Sequence, residues 1–177
     1  MMSAVTPADI EAAIRNVPDF PKPGIQFKDI TPVLGDARLF AGSIDLLAAH
    51  HRDKGIDAVV GIDARGFIFA AAAACQLDAA FVPVRKKGKL PHKTIEENFS
   101  LEYGEDTVAI HEDALKPGAR VLLLDDLLAT GGTAAAAAKL VSKVGAEIVE
   151  IGFLIELDFL KGREKLGDYP IHSVVTY

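Results

Sequence analysis

The run VLLLDDLLATGGT, Val121 to Thr133, constrains this chain more than any other segment. Its apolar start has the continuous character of a strand buried on both faces, which occurs where helices cover both sides of a parallel sheet. Asp125 and Asp126 come where that strand emerges, and Ala129, Thr130, Gly131, Gly132 and Thr133 turn the chain into an alanine-rich helix. The amides at the start of such a helix point outward unpaired, and the helix dipole makes the spot favourable for an anion. Gly131 and Gly132 let the backbone close around a phosphate, while Thr130 and Thr133 can add hydroxyl donors. Carboxylates upstream of that turn accept hydrogen bonds from vicinal hydroxyls and are poorly suited to holding the phosphate itself. Acids beside a phosphate cradle point to a ribose phosphate; the plainer reading is an ordinary start of a helix.

The remaining segments alternate in the same way. Thr6-Pro7-Ala8-Asp9 reads as a helix start, with a hydroxyl cap, a proline at the first helical position and an acid in the first turn. Ile10, Ala13, Ile14 and Val17 continue at helical spacing, and Pro18, Pro21, Pro23 and Gly24 end the helix and lead into an extended segment, Pro23 to Leu34. A second helix from Asp36 carries Leu39, Phe40, Ile44 and Leu47 inward and stops near Gly55; its His50 and His51 read as surface residues rather than ligands. Strands are expected at Ile56–Asp63, Ala80–Arg85, Phe99–Tyr103, Thr107–Ile110, Arg120–Asp126 and Ala146–Leu157, with helices after Gly66 and over Thr133–Val144. A long polar stretch, Lys86 to Asn98, interrupts the pattern. Strands separated by helices imply an α/β fold: right-handed crossovers and a twisted, mainly parallel sheet flanked by helices, with the ligand beyond the carboxyl ends of the strands. At 177 residues, with no linker or repeat, residues 1–177 read as a single domain.

The net charge of −6 argues against nucleic acid and against an acidic membrane surface as partners, since both need a cationic face. Positive charge is local instead: Arg85, Lys86, Lys87, Lys89 and Lys93 crowd together, either for a small anionic ligand or as a solvated loop. Cys75 is the single cysteine and sits in the apolar run Phe67 to Leu77, where it reads as a small buried hydrophobe. That run is shorter than the ~20 residues a bilayer span needs, and nothing at the N-terminus resembles a signal peptide, so a reducing cytoplasm is the expected compartment. Other site motifs fail on spacing. Gly61 and Gly66 are separated as in a P-loop, but Phe67 stands where its lysine should be, and His111-Glu112 does not continue into H-E-x-x-H.

DDLLATGGT resembles the motif by which type I phosphoribosyltransferases bind 5-phosphoribosyl 1-pyrophosphate (PRPP), and Leu127-Leu128-Ala129 has the wording of their adenine-specific branch. Pro18 to Leu34, Gly61 to Phe69 with Val84 to Pro91, and Ser100 to Gly104 are similar to the same branch, in the same order. Lys28, Phe99 and Ala109 depart from its usual residues. The resemblance implies the type I fold with a small N-terminal hood (residues 1–35), a mobile lid over residues 86–104, and transfer of the phosphoribosyl group to adenine with release of pyrophosphate. It implies that Ala129 to Thr133 hold the 5-phosphate, that Asp125 and Asp126 hold the ribose, and that adenine lies between Phe27 and Leu127, its edge read by the main chain near Gln26 and Lys28.

By the same resemblance, Asp63, Ala64, Arg65, Arg85 and Lys89 serve the pyrophosphate, with a cis peptide at Asp63-Ala64. Whether Arg85 acts in its own subunit or across a dimer stays open. Catalytic roles fall to Glu102, Tyr103 and Arg65, with Glu102 handling the proton of the attacking base. Mg²⁺ is implied by the pyrophosphate, held through pyrophosphate and ribose oxygens with no direct protein ligand, and a homodimer is implied as well. Two alternatives stand beside this reading. Another base is one, although hypoxanthine-guanine enzymes carry Glu-Asp at the acid pair and orotate enzymes lack the Pro23–Ile30 segment. A PRPP-binding regulator of the same fold is the other; such proteins normally add a nucleic-acid-binding module.

Overall fold

The computed structural model describes residues 4–100 and 104–177. In chain order the elements are α1 (Pro7–Ala13), β1 (Arg15–Pro18), β2 (Gln26–Asp29), α2 (Thr31–Gly35), α3 (Ala37–Ala48), β3 (Ala58–Ile62), α4 (Gly66–Leu77), β4 (Ala80–Lys86), β5 (Thr94–Ser100), β6 (Glu105–His111), β7 (Arg120–Leu128), α5 (Gly132–Lys143), β8 (Glu147–Glu156) and β9 (Ile171–Thr176). The main sheet runs β5-β6-β4-β3-β7-β8-β9. From β4 to β9 all neighbours are parallel, and β6 is antiparallel to both β4 and β5. This is the expected α/β architecture. The β1–β2 pair makes a small separate antiparallel hairpin.

Side chains on β7 alternate between two cores, as the pleat requires. Val121 and Leu123 join the cluster under α5, whereas Leu122 and Leu124 join the cluster under α1, α3 and α4. All four are fully buried, each leucine contributing about 1.5–3 kcal/mol against exposure. Burial on both faces fixes β7 at the centre of the sheet, and its carboxyl end therefore projects a rigid edge. The helices that cover it are capped as their sequences suggest. Thr6 and Asp9 form a reciprocal capping box on α1, and Asp36 accepts from the amides of Arg38 and Leu39, both at 2.9 Å.

Several elements differ from the sequence reading. α1 stops at Ala13, so Val17 is not on a helical face; it pairs with Phe27 in the β1–β2 hairpin. The one-turn helix α2 interrupts the extended segment Pro23–Leu34, because Asp29 accepts from the amide and hydroxyl of Thr31 and closes a turn there. β7 extends to Leu128, with Leu127 paired to Ile155 and Leu128 to Glu156, so both acids lie inside the strand. The polar stretch after Lys86 contains β5, which ladders along β6 from Thr94 to Ser100 and takes in the first two residues of the strand expected at Phe99–Tyr103, the other three lying outside the described residues. As an edge strand it needs no apolar run, which hid it. Cys75 is exposed rather than buried. His51, read as a surface residue, is buried, because the 3-10 turn after α3 rolls it inward against β8.

Candidate active site

The turn after β7 is built from backbone pressed on backbone. Gly131 has φ +78°, a left-handed conformation that disfavours any side chain. A Cβ there would collide with the carbonyl oxygen of Gly162, and Gly162 in turn packs against the carbonyl of Ala129. The 159–165 segment thus backs the turn. It is pinned by Arg163, whose Nε and Nη2 donate to the buried Glu156 at 2.5 and 2.6 Å. Asp125 and residues 127–134 line a small concavity on the open side. Larger depressions, between Val5 and Leu46 and around residues 114–119, bring together no comparable set of groups; the site is recognised by chemistry rather than size.

Burial, and then the charge of Asp126, push the Asp125 carboxyl well above its ordinary value. Burial also raises Asp126, opposed chiefly by the Arg65 guanidinium, whose Nε lies 2.7 Å from Asp126 Oδ2. Asp125 Oδ1 accepts from the Asp126 amide at 2.8 Å, and the remaining carboxyl oxygens can accept hydrogen bonds from a ligand's hydroxyls. Arg65 also stands 5.3 Å from the Phe27 ring centroid, so one cation bridges the acid pair and the aromatic of the hairpin. Phe20 packs edge-on to Phe27 at 5.2 Å. Gln26 is exposed, Leu127 is half-buried at the end of β7, and Lys28 donates to Asn16 at 2.7 Å and lies over the Tyr177 ring.

On the other side of the acids, the loop between β3 and α4 closes in. Its Asp63-Ala64 peptide is cis. A Cβ on Gly66 would stand 2.7 Å from Asp125 Oδ1 and 3.0 Å from the Leu124 carbonyl, so the loop can lie this close only with glycine there. Arg85 Nε pairs with Asp63 at 2.8 Å and Arg85 Nη1 donates to the Lys89 carbonyl at 3.2 Å, which brings Arg85 and the Lys89 backbone to this loop. Lys86 and Lys87 pair instead with Asp106 and Glu96. The cationic cluster is therefore divided between the loop and the β5–β6 hairpin.

The sequence reading thus placed Asp125, Asp126, residues 129–133, Asp63, Ala64, Arg65 and Phe27 in one neighbourhood, and the structure brings them together. Glu102 and Tyr103 lie outside the described residues. Ser100, just before them, packs over the start of α5: its carbonyl and the Phe99 ring would both stand 3.4 Å from a Cβ on Gly132. Sequence reasoning missed Gly162, Arg163 and Glu156, whose support of the turn is a contact across separate segments with no local signature.

Residues 34–173 match the phosphoribosyl transferase domain family. The chain belongs to the phosphoribosyltransferase family. Its branch is that of the adenine phosphoribosyltransferases. The enzyme of that name from Myxococcus xanthus is 55% identical over 170 residues, covering 96% of this chain and 92% of the relative. The one from Syntrophotalea carbinolica is 58% identical over 169 residues, covering 96% and 99%. The crystal structure of the Rhodothermus marinus adenine phosphoribosyltransferase superimposes with a TM-score of 0.92 at 52% identity, covering 97% of this chain and 98% of that one. The Saccharomyces cerevisiae enzyme, complexed with an imino-altritol bisphosphate and adenine, gives 0.91 at 40% identity, covering 95% and 97%. These relatives carry enzyme names, which favours a phosphoribosyltransferase over a regulator of the same fold.

Proposed function

We propose that this chain transfers the 5-phosphoribosyl group of PRPP to adenine, giving AMP and pyrophosphate. The observation that carries the reading is the crowded acid pair, Asp125 and Asp126, leading into a glycine turn seated against Gly162. A ribose and its phosphate are the ligand such a pair and turn fit together. Adenine is supported by the relatives' names and by adenine in the Saccharomyces cerevisiae complex.

In this reading the amides of residues 129–133 and the hydroxyls of Thr130 and Thr133 hold the 5-phosphate at the start of α5. The carboxylates of Asp125 and Asp126 accept from the ribose hydroxyls, for which Arg65 has to release Asp126. Arg65, Arg85 and Lys89, with the backbone at Asp63 and Ala64, then take the pyrophosphate. Adenine stacks on Phe27 against Leu127, and main-chain groups at Gln26 and Lys28 read its edge. Discrimination is large where the wrong substituent leaves such groups unpaired.

The bond from the sugar to pyrophosphate breaks and a bond to the base nitrogen forms, through an oxocarbenium-like sugar that water would intercept. Residues 86–104 close as a lid over it, with Glu102 and Tyr103 at its far end and Glu102 accepting the proton of the attacking base. The contact of Ser100 with the start of α5 supports a lid that acts there.

Mg²⁺ usually keeps several waters and is held by substrate phosphates with one or two carboxylates, so pyrophosphate and ribose oxygens are the ligands expected here. Bound there, it would neutralise charge developing on the leaving pyrophosphate. Activity is expected to vanish with EDTA and return with Mg²⁺, in a spectrophotometric assay of AMP formation; turnover that persists without metal contradicts this. We further read the chain as one domain acting in a cytoplasmic homodimer. The apolar face formed by Phe67, Ile68 and Phe81, beside the exposed Cys75, supports pairing with a second copy. No helix among the described residues is long and apolar enough to cross a membrane.

The deciding experiment offers PRPP and Mg²⁺ with adenine, hypoxanthine, guanine or orotate in separate reactions. Product from adenine alone is expected. Comparable kcat/KM with another base overturns the base assignment, and PRPP binding without any product overturns the activity.

A further inference from the structure

A second set of ligating side chains lies outside the reaction site. His50 and His51 close the 3-10 turn Ala49–His51 that follows α3. Glu150 stands in the amino-terminal half of β8, opposite Leu122 of β7, whereas Asp125 is level with Phe153 further along. The Nε2 atoms of both histidines lie 2.9 Å from the same oxygen, Glu150 Oε1. All three ligand atoms fall within 4.8 Å of one another, and no other His, Cys, Asp and Glu trio converges in this way among the described residues. His51 is only 2% exposed and Glu150 16%, so two of the three are held by packing, while His50, 39% exposed, covers them from the solvent side.

The chemistry of the three groups suits a metal ion. Glu150 Oε1 accepts from both Nε2 atoms, so an ion held between the three takes the place of those two protons. The neighbouring His172, its ring 5.1 Å from that of His50, is held by Nε2 at 3.0 Å from the Leu46 carbonyl and so stays outside the ligand set.

The geometry points to a binding site for a borderline transition-metal dication, with Zn²⁺ as the best fit, ligated by His50 Nε2, His51 Nε2 and Glu150 Oε1 and open to water at its remaining position. Two imidazoles with one carboxylate suit Zn²⁺, Co²⁺ or Ni²⁺, whereas Mg²⁺ and Ca²⁺ prefer all-oxygen surroundings. Such an ion would tie the turn after α3 to β8 and stabilise the fold, independently of the transfer reaction at the far edge of the sheet.

The test uses the full chain, stripped of metal and titrated with Zn²⁺ by calorimetry and with Co²⁺ by visible absorption. One equivalent is expected to bind, Co²⁺ giving the intense bands of a four- or five-coordinate ion, with the unfolding temperature rising with Zn²⁺. His50→Ala and Glu150→Gln should each weaken Zn²⁺ by at least ~100-fold, more than the loss of an outer-sphere partner costs. Both should abolish the rise in unfolding temperature and leave Mg²⁺-supported turnover at the wild-type level. His50 is exposed, and unfolding curves in metal-free buffer check that the variants fold. Wild-type Zn²⁺ affinity in either folded variant overturns the assignment. So does binding that disappears only with His111→Ala, next to His92, or a Co²⁺ spectrum typical of the hexahydrated ion.

Discussion

The phosphate end of the proposed site and its base end are held by different means. At the phosphate end, β7, with Val121 to Leu124 fully buried, delivers two acids and a turn whose atoms rest on the backbone of Gly162. At the base end, Phe27 stands on a two-stranded hairpin outside the main sheet, steadied by Phe20, which is itself 51% exposed. One end derives its geometry from the central core, and the other from a few side chains at the margin. A two-stranded hairpin has little stability of its own and borrows it from what it packs on. Recognition of the sugar phosphate should therefore be rigid, and recognition of the base should tolerate change.

Glu102→Gln, in the proposed lid, is the largest expected effect: kcat should fall by roughly 10²–10⁴-fold, the usual range for a lost acid–base group, while PRPP affinity stays near wild type. Unchanged turnover in steady-state kinetics removes Glu102 from the reaction. Gly131→Ala comes next, because the added methyl meets the Gly162 carbonyl at a positive φ. Strain of that kind costs ~1–3 kcal/mol, and we expect it both in urea unfolding and as a roughly tenfold or greater rise in KM for PRPP. A tolerated alanine would mean that the phosphate end is softer than the base end.

Phe27→Ala should raise KM for adenine by about tenfold, in line with ~1–3 kcal/mol for stacking of a base on an aromatic ring, and leave KM for PRPP alone. If both constants move together, the two ends are not separate. The smallest effect is expected from Arg163→Ala. Arg163 holds the buried Glu156 carboxyl below its ordinary range, so this stabilisation is present at neutral pH and lost as pH falls through the folded-state value. Removing Arg163, whose side chain is 45% exposed, should cost about 1–2 kcal/mol at pH 7 and flatten the acid limb of a stability–pH profile. An unaltered limb would mean that Glu156 titrates without help from Arg163.

How much of this was legible in the sequence follows the same division. β3, β7 and β8 announce themselves because strands buried on both faces must be apolar throughout, and the acids and glycines after β7 break that run conspicuously. The caps at Thr6 and Asp36 are local rules and were readable for that reason. β5 was not, since an edge strand exchanges with water on one side and keeps polar residues such as Glu96, Glu97 and Asn98. Val17 sits at helical spacing but pairs across a hairpin, where tertiary contact overrides the period. The burial of His51 and the backing role of Gly162 depend on residues about a hundred and about thirty positions away respectively, beyond any local pattern.

The contact between Gly66 and Asp125 bears on how such a chain can diverge. The separation between the loop proposed for the leaving group and the acids proposed for the sugar is set by Gly66 lying against the Asp125 carboxyl and the Leu124 carbonyl, with no room for one methyl group. Side-chain replacement can adjust the hairpin by small steps, each of which leaves a folded protein. No comparable series of small steps widens the gap at Gly66, because any larger residue must displace α4 or β7 together with the core behind it. Descendants of this sequence can explore new acceptors gradually, while the donor stays fixed by a constraint that drift cannot relax one atom at a time.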